Sequence, residues 1–211
     1  PESPRQVLEV LRQPLEDRHI SISRARYAVD YPAGFMLVAS MNPCPCGYYN
    51  HPTRECTCAP GAVSKYLARI SGPLLDRIDI QCEILPVPFE KLSELKEGES
   101  SAAIRERVVR ARAIQEKRYA SHPGIHCNAQ LTPKLQAVYC RLDEPSARLL
   151  KTAITKYDMS ARAYDRILKV ARTIADLAGF PDISPDHMRE AISYRNLDRG
   201  TWGTRTAKTP F

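Results

Sequence analysis

FMLVASMNPCPCGYYN, residues 35–50, joins a continuous apolar run to a loop rich in proline, glycine and cysteine. A short apolar run ended by polar residues predicts a strand covered on both faces, as in the sheet of an α/β protein. Upstream, Ile20 and Ile22 alternate with polar residues, which predicts a half-buried strand, with residues 24–31 at or near the turn between the two. Before that, Val7, Leu8, Val10, Leu11 and Leu15 recur on one helical face, so residues 4–15 read as a short amphipathic helix. Downstream, residues 63–70 read as a second short helix. The alternating stretch IDIQCEIL, residues 78–85, reads as a strand closed by Pro86 and Pro88.

Past residue 88 the pattern changes. Residues 89–103 are polar and read as a linker; residues 104–197 carry helical periodicity; residues 198–211 read as a frayed tail. Leu149, Leu150, Ala153, Ile154 and Tyr157 share one helical face. Ile167, Val170, Ala171, Ile174, Leu177 and Ala178 share another, stopped by Gly179. Ser184-Pro185 opens a last helix as N-cap and first-turn proline. The expected architecture is α/β over residues 1–88, followed by an all-α domain.

Composition narrows the partners. The 211 residues carry a net charge of +7, which favours an anionic partner such as nucleic acid or nucleotide but equally describes an ordinary basic surface. No apolar run approaches the ~20 residues of a membrane span, and the first residues lack the layout of a secretory signal. Four of the seven cysteines fall between positions 44 and 58, a clustering that points to metal or redox chemistry in a reducing, cytoplasmic setting.

Cys44, Cys46, Cys56 and Cys58 form two pairs with one residue inside each pair. Four thiolates close a tetrahedral structural zinc site and order a loop that has no periodicity of its own. Disulfides between the pairs, an iron–sulfur cluster and free thiols are the alternatives, and His51 could replace one ligand. Cys82, Cys127 and Cys140 stand singly and read as buried or inert.

Three residues could meet a nucleotide. Asn42 follows the apolar run, where ligands bind beyond the carboxyl ends of strands, although taken alone it reads better as a turn cap before Pro43. Arg77 lies between Asp76 and Asp79, as a guanidinium reaching a neighbouring subunit or as a surface ion pair. Arg162 sits in the first turn of the helix capped by Ser160, placed to hold an anion or to be neutralised by Asp158 or Asp165. Arg24 and Arg26 flank the expected hairpin tip and could touch a nucleic-acid backbone; residues 105–118 carry six cations against two anions, which a solvated helix face also explains. No aromatic interleaving marks a base-stacking platform.

Together, the stretches LRQPLEDRHISISRA, FMLVASMNPCPCGYYN, ISGPLLDRIDI, GESSAAIRERV, GIHCNAQL and LSARAYDRILKVARTIADL resemble the magnesium-chelatase-like AAA+ ATPases over nearly the whole chain. The resemblance implies the second half of an AAA+ P-loop core followed by a helical lid. It implies roles as well: Asn42 as sensor 1, Arg77 as an arginine finger acting in trans, and Arg162 as sensor 2. It also implies a channel hairpin with Arg24, and Arg26 beside it, toward DNA. Family members that are hexameric DNA motors use ATP and Mg²⁺ to drive branch migration during natural transformation, so a ring of like subunits and sequence-independent DNA contact are implied, with no membrane partner. No G-x-x-x-x-G-K-[ST] phosphate loop and no acidic Mg²⁺-binding pair occur in these residues. In the family both precede this region, so the chain is expected to be a carboxyl-terminal fragment that does not hydrolyse ATP alone. The rival functions are a magnesium-chelatase ATPase subunit and a non-catalytic, zinc-stapled DNA-binding or regulatory module.

Overall fold

The computed structural model describes residues 1–84, 86–87 and 98–195. Most of the expected linker and the whole expected tail, 198–211, lie outside them. The chain divides into two compact units, the first covering residues 1–78 and the second residues 79–196.

The first unit opens with α1 (Arg5–Val10) and α2 (Arg12–Asp17), where the periodicity predicts one continuous helix. Pro14 accounts for the break. It has no N–H to give the Val10 carbonyl, and its ring crowds that same oxygen, so α1 ends at Val10. Arg18 closes α2 in the left-handed region at φ 58°. Its carbonyl accepts from the Ala33 N–H at 2.8 Å, which ties the base of the next element. That element is an antiparallel hairpin of β1 (His19–Arg24) and β2 (Tyr27–Pro32), paired in register from His19 opposite Pro32 to Arg24 opposite Tyr27. The expected first strand is therefore present. Residues 27–32 form its partner where 24–31 are expected at or near the turn, and the turn shrinks to Ala25 and Arg26.

Residues 35–39 do not form the expected strand, nor do residues 78–84, which contribute only an isolated bridge from Gln81 to Arg195. A strand is stable only where a neighbour takes up its N–H and C=O groups. Among the described residues the one ladder joins β1 and β2 to each other. Met36 and Val38 are accordingly 86% and 81% exposed. Two short helices, α3 (Ala62–Leu67) and α4 (Gly72–Leu75), follow the cysteine loop. Tyr66 donates to Glu2 Oε1 at 2.9 Å and Arg69 Nη1 to the Pro1 carbonyl at 2.8 Å, so the chain start is fastened to α3 and the turn after it.

The second unit is helical, as the periodicity predicts: α5 (Ser101–Tyr119), α6 (Pro133–Tyr139), α7 (Glu144–Tyr157), α8 (Ala161–Leu177) and α9 (Pro185–Ser193). Each starts on a side-chain cap, from Ser100, Thr132, Asp143, Ser160 and Ser184 in turn, and each cap satisfies a backbone N–H that the first turn leaves without a partner. Gly179, at φ 76°, ends α8, and the Phe180 N–H returns to the Ala175 carbonyl at 2.9 Å. The core forms around α8, where Ala163, Ile167 and Ala171 are fully buried and pack with Leu150, Ile183 and Met188.

Within this core lies a polar network that no periodicity predicts. Asp176, with no side-chain exposure, accepts from both guanidinium ends of Arg118, from Arg172 Nε at 3.2 Å and from Asn128 Nδ2 at 2.8 Å. Tyr119 donates to Asn128 Oδ1 at 2.6 Å. Arg172 spends its remaining donors on the Pro181 and Phe180 carbonyls at 2.6 and 2.7 Å, fastening the α8–α9 turn. Replacing Asp176 with alanine leaves the buried Arg172 and the half-buried Arg118 without their shared carboxylate, and this is expected to destabilise the helical unit by about 3–5 kcal/mol. Chemical denaturation read by circular dichroism checks it; a loss under about 1 kcal/mol would contradict the reading.

Candidate metal centre and nucleotide-facing residues

The cysteine loop is built by two turns. The Gly47 N–H bonds the Cys44 carbonyl at 3.0 Å, with Gly47 itself at φ 82°, a conformation that favours glycine. This brings Cys46 Sγ to 3.3 Å from Cys44 Sγ. Cys56 Sγ lies 3.8 Å from Cys44 Sγ and 3.5 Å from Cys46 Sγ, and all four Sγ atoms, Cys58 included, lie within 4.8 Å of one another. A disulfide would require about 2.05 Å. Four sulfurs about 2.3 Å from a tetrahedral zinc stand about 3.8 Å apart, so the separations among Cys44, Cys46 and Cys56 fit three corners of a slightly contracted zinc tetrahedron, with Cys58 near the fourth. None of the seven cysteines is in a disulfide. The Tyr49 N–H donates to Cys44 Sγ at 3.3 Å, the kind of outer contact that steadies a thiolate ligand.

The four thiols differ in acidity. The backbone at Tyr48 holds Cys46 down to about 5. A backbone hydrogen bond from Cys46 draws Cys58 down, but burial and the neighbouring sulfurs outweigh it and push Cys58 up to about 12. His51 stands outside the cluster: its Nδ1 accepts from the backbone N–H groups of Thr53 and Arg54 at 3.2 and 3.1 Å, closing the turn between the two pairs. Of the single cysteines, Cys140 is buried, with its thiol pushed up to about 11 by loss of water, whereas Cys82 is exposed.

Asn42 is exposed and immediately precedes the cysteine loop, at the end of a stretch with no regular structure. Arg77 is turned inward at 9% exposure. Its Nε stands 2.9 Å from Glu16 Oε2 and its Nη1 donates to the Pro73 carbonyl at 2.6 Å. Sequence proximity pointed to Asp76 and Asp79. The carboxylate of Asp79 instead takes Arg166, at 2.9 Å, inside the helical unit. Glu16 lies 61 positions upstream of Arg77, and no local pattern marks the pair.

Arg162 is exposed at the second position of α8, behind the Ser160 cap whose Oγ accepts from the Ala163 N–H at 3.2 Å. Asp165 is engaged by Gln136 Nε2 at 3.1 Å. Arg24 and Arg26 are exposed at the hairpin tip, Arg26 within the two-residue turn. Of the six cations on α5, Arg107 and Arg110 pair with Glu99 and Glu106, and Arg118 is committed to Asp176, which fits a solvated helix anchored at one end. Among the described residues no helix is long and apolar enough to cross a membrane.

A small α-and-hairpin unit with a four-cysteine loop, followed by a capped helical unit, defines a class that comparison identifies. The family model for magnesium chelatase, subunit ChlI, matches residues 1–92, and that for the C-terminal part of the same subunit matches residues 98–195. The chain belongs to the magnesium-chelatase-like family, in the branch that holds YifB and ComM. It is 44% identical over 200 residues to competence protein ComM of Haemophilus influenzae and 42% identical over 200 residues to the uncharacterized protein YifB of Salmonella typhimurium. Each alignment takes in 94% of this chain and 38% of the relative. An uncharacterized protein of Mycobacterium tuberculosis is 37% identical over 188 residues, 89% of this chain and 37% of its own length. The chain thus spans under two-fifths of the length of these curated relatives.

Proposed function

We propose that this chain is the portion of an ATP-driven, ring-forming DNA motor that supplies sensor 1, the arginine finger, sensor 2 and the DNA-contacting hairpin. The observation that carries the reading is the hairpin. Its twelve strand residues are exposed except for Ile20, and the tip carries Arg24 and Arg26. A two-stranded hairpin standing alone is marginal in water. One that displays guanidinium groups at its tip is suited to a polyanion drawn past it. The similarity to a protein named for competence supports incoming DNA as the substrate, with branch migration during natural transformation as the task.

In this mechanism the protein's own groups do positional and electrostatic work. Asn42 orients the attacking water, and Arg162 at the start of α8 reads the presence of the terminal phosphate. Arg77 leaves Glu16 and neutralises charge on the phosphoryl group held by the next subunit in a hexamer. ATP and Mg²⁺ bind through a phosphate loop and acidic pair that these residues do not include. Zinc, where bound by Cys44, Cys46, Cys56 and Cys58, supplies a closed scaffold beside Asn42 with no open position for chemistry.

The test is hydrolysis by the full-length protein with and without forked DNA. A DNA motor is expected to be stimulated severalfold. A chelatase-type subunit, which remodels a protein partner, is expected to turn over ATP at the same rate in both, and that outcome would replace the motor reading.

A further inference from the structure

The hairpin's two faces differ in chemistry, in a way that sequence spacing conceals. In an antiparallel pair, residues directly opposite share a face, and faces alternate along each strand. The register therefore puts Ile20 and Tyr31, Ile22 and Val29, and Arg24 and Tyr27 on one face. Ser21 with Asp30 and Ser23 with Ala28 lie on the other, and the 2.5 Å bond from Ser21 Oγ to Asp30 Oδ1 holds the hairpin's one strand carboxylate there. The first face thus combines a cation and two tyrosines with no acidic group. Tyr27 is 69% exposed at the tip and Tyr31 is 52% exposed nearer the base.

We propose that this face is a base-stacking platform for single-stranded nucleic acid, with Tyr27 stacking on an unpaired base while Arg24 holds the adjoining phosphate. The inference rests on the DNA-motor reading and adds the strand state and the stacking residue. A phenol ring has two faces for bases, and it stands directly across the ladder from a cation; that pairing is what single-strand binders use. Bases within a duplex are already stacked on their neighbours and do not offer their faces, so the platform discriminates an opened strand from a closed one. The placement of Asp30 removes the like-charge repulsion that would otherwise oppose a phosphate chain on this side.

The experiment measures binding of the full-length protein to a fluorescein-labelled oligothymidylate and to an abasic oligomer of equal length and charge. Wild type, Tyr27→Ala, Tyr27→Phe and Arg24→Ala are compared across salt. Tyr27 is exposed, so its substitution leaves the fold intact, which circular dichroism verifies. Tyr27→Ala is expected to weaken oligothymidylate binding about 5- to 100-fold while Tyr27→Phe stays near wild type. The abasic oligomer should bind both the wild type and Tyr27→Ala equally weakly. Arg24→Ala should weaken both oligomers and lower the salt slope by about one. If Arg24→Ala has that effect while Tyr27→Ala and the abasic oligomer change nothing, stacking is refuted and the DNA reading survives. No binding of either oligomer by wild type defeats both. A change in sedimentation on Tyr27→Ala without a change in affinity assigns the face to a second copy, and also overturns the proposal.

Discussion

Full-length protein prepared with zinc is expected to hold one equivalent, and replacing Cys44 with serine, or treating with a strong chelator, should release it and unfold the loop around residues 43–61. Structural zinc contributes apparent binding energies of about 10–16 kcal/mol in small finger peptides, far above what the loop's own contacts provide. Those contacts are local: two backbone turns, the Tyr49 bond to Cys44, the bonds within the His51 turn, and Arg54 donating to the Tyr48 hydroxyl at 2.8 Å. Cys44 is the informative position because it is fully buried and central to the cluster. Amide hydrogen exchange confined to the loop, with metal content measured in parallel, reads the effect. A colourless zinc protein distinguishes this from an iron–sulfur cluster, which absorbs visible light. Protection unchanged after zinc removal would show that the thiols, not the ion, hold the loop.

Acid should act in the same direction, because a thiol must be deprotonated to hold zinc. A thiol ordinarily titrates near 9, and Cys46 is held down to about 5 while Cys58 is pushed up to about 12. The lowered group stabilises the folded loop fully above its ordinary value and loses that contribution as pH falls toward 5. The raised group acts oppositely: its contribution is present below the ordinary value and is lost only as pH rises toward 12. Zinc release is therefore expected to progress on acidification toward pH 5, followed with a chromogenic chelator.

The second large effect is expected at Arg77. In the proposed full-length ring motor, Arg77→Ala should reduce ATP hydrolysis by about 10³-fold or more, the usual cost of removing a finger from a phosphoryl-transfer site. Lysine should not restore it, because a point charge lacks the forked geometry of a guanidinium. A purely structural Arg77 would also matter, since it bridges Glu16 and the Pro73 carbonyl at 9% exposure. Subunit mixing separates the two. A finger acts on the neighbour's nucleotide, so Arg77→Ala subunits mixed with phosphate-loop-deficient subunits should regain activity wherever an intact loop meets an intact arginine. A structural defect gives no such recovery. Absence of recovery in mixed rings, with folding intact, would remove the finger assignment.

How much of this was visible in the residues varied with the range of the interaction. Helix ends in the second unit were legible because capping is local: Ser160, Gly179 and Ser184-Pro185 act within one turn of where they stand. Two elements misled. The apolar run at 35–39 has the composition of a strand, yet composition does not provide the neighbour that a strand needs. The periodicity of residues 4–15 passes through Pro14, whose steric effect falls on the carbonyl four residues earlier.

The candidate site divides along the same line. Four cysteines within fifteen positions can meet because the connecting loop is short, so order along the chain was enough to bring their sulfurs into one cluster. The partnership of Arg77 with Glu16, the burial of Asp176 between two arginines, and the placement of Arg24 on the hairpin face of Tyr27 and not on that of Asp30 were settled by folding alone. Each depends on which backbone segments come side by side, and on the pairing register when they do. A shift of one residue in that register would exchange the faces and put the carboxylate beside Arg24.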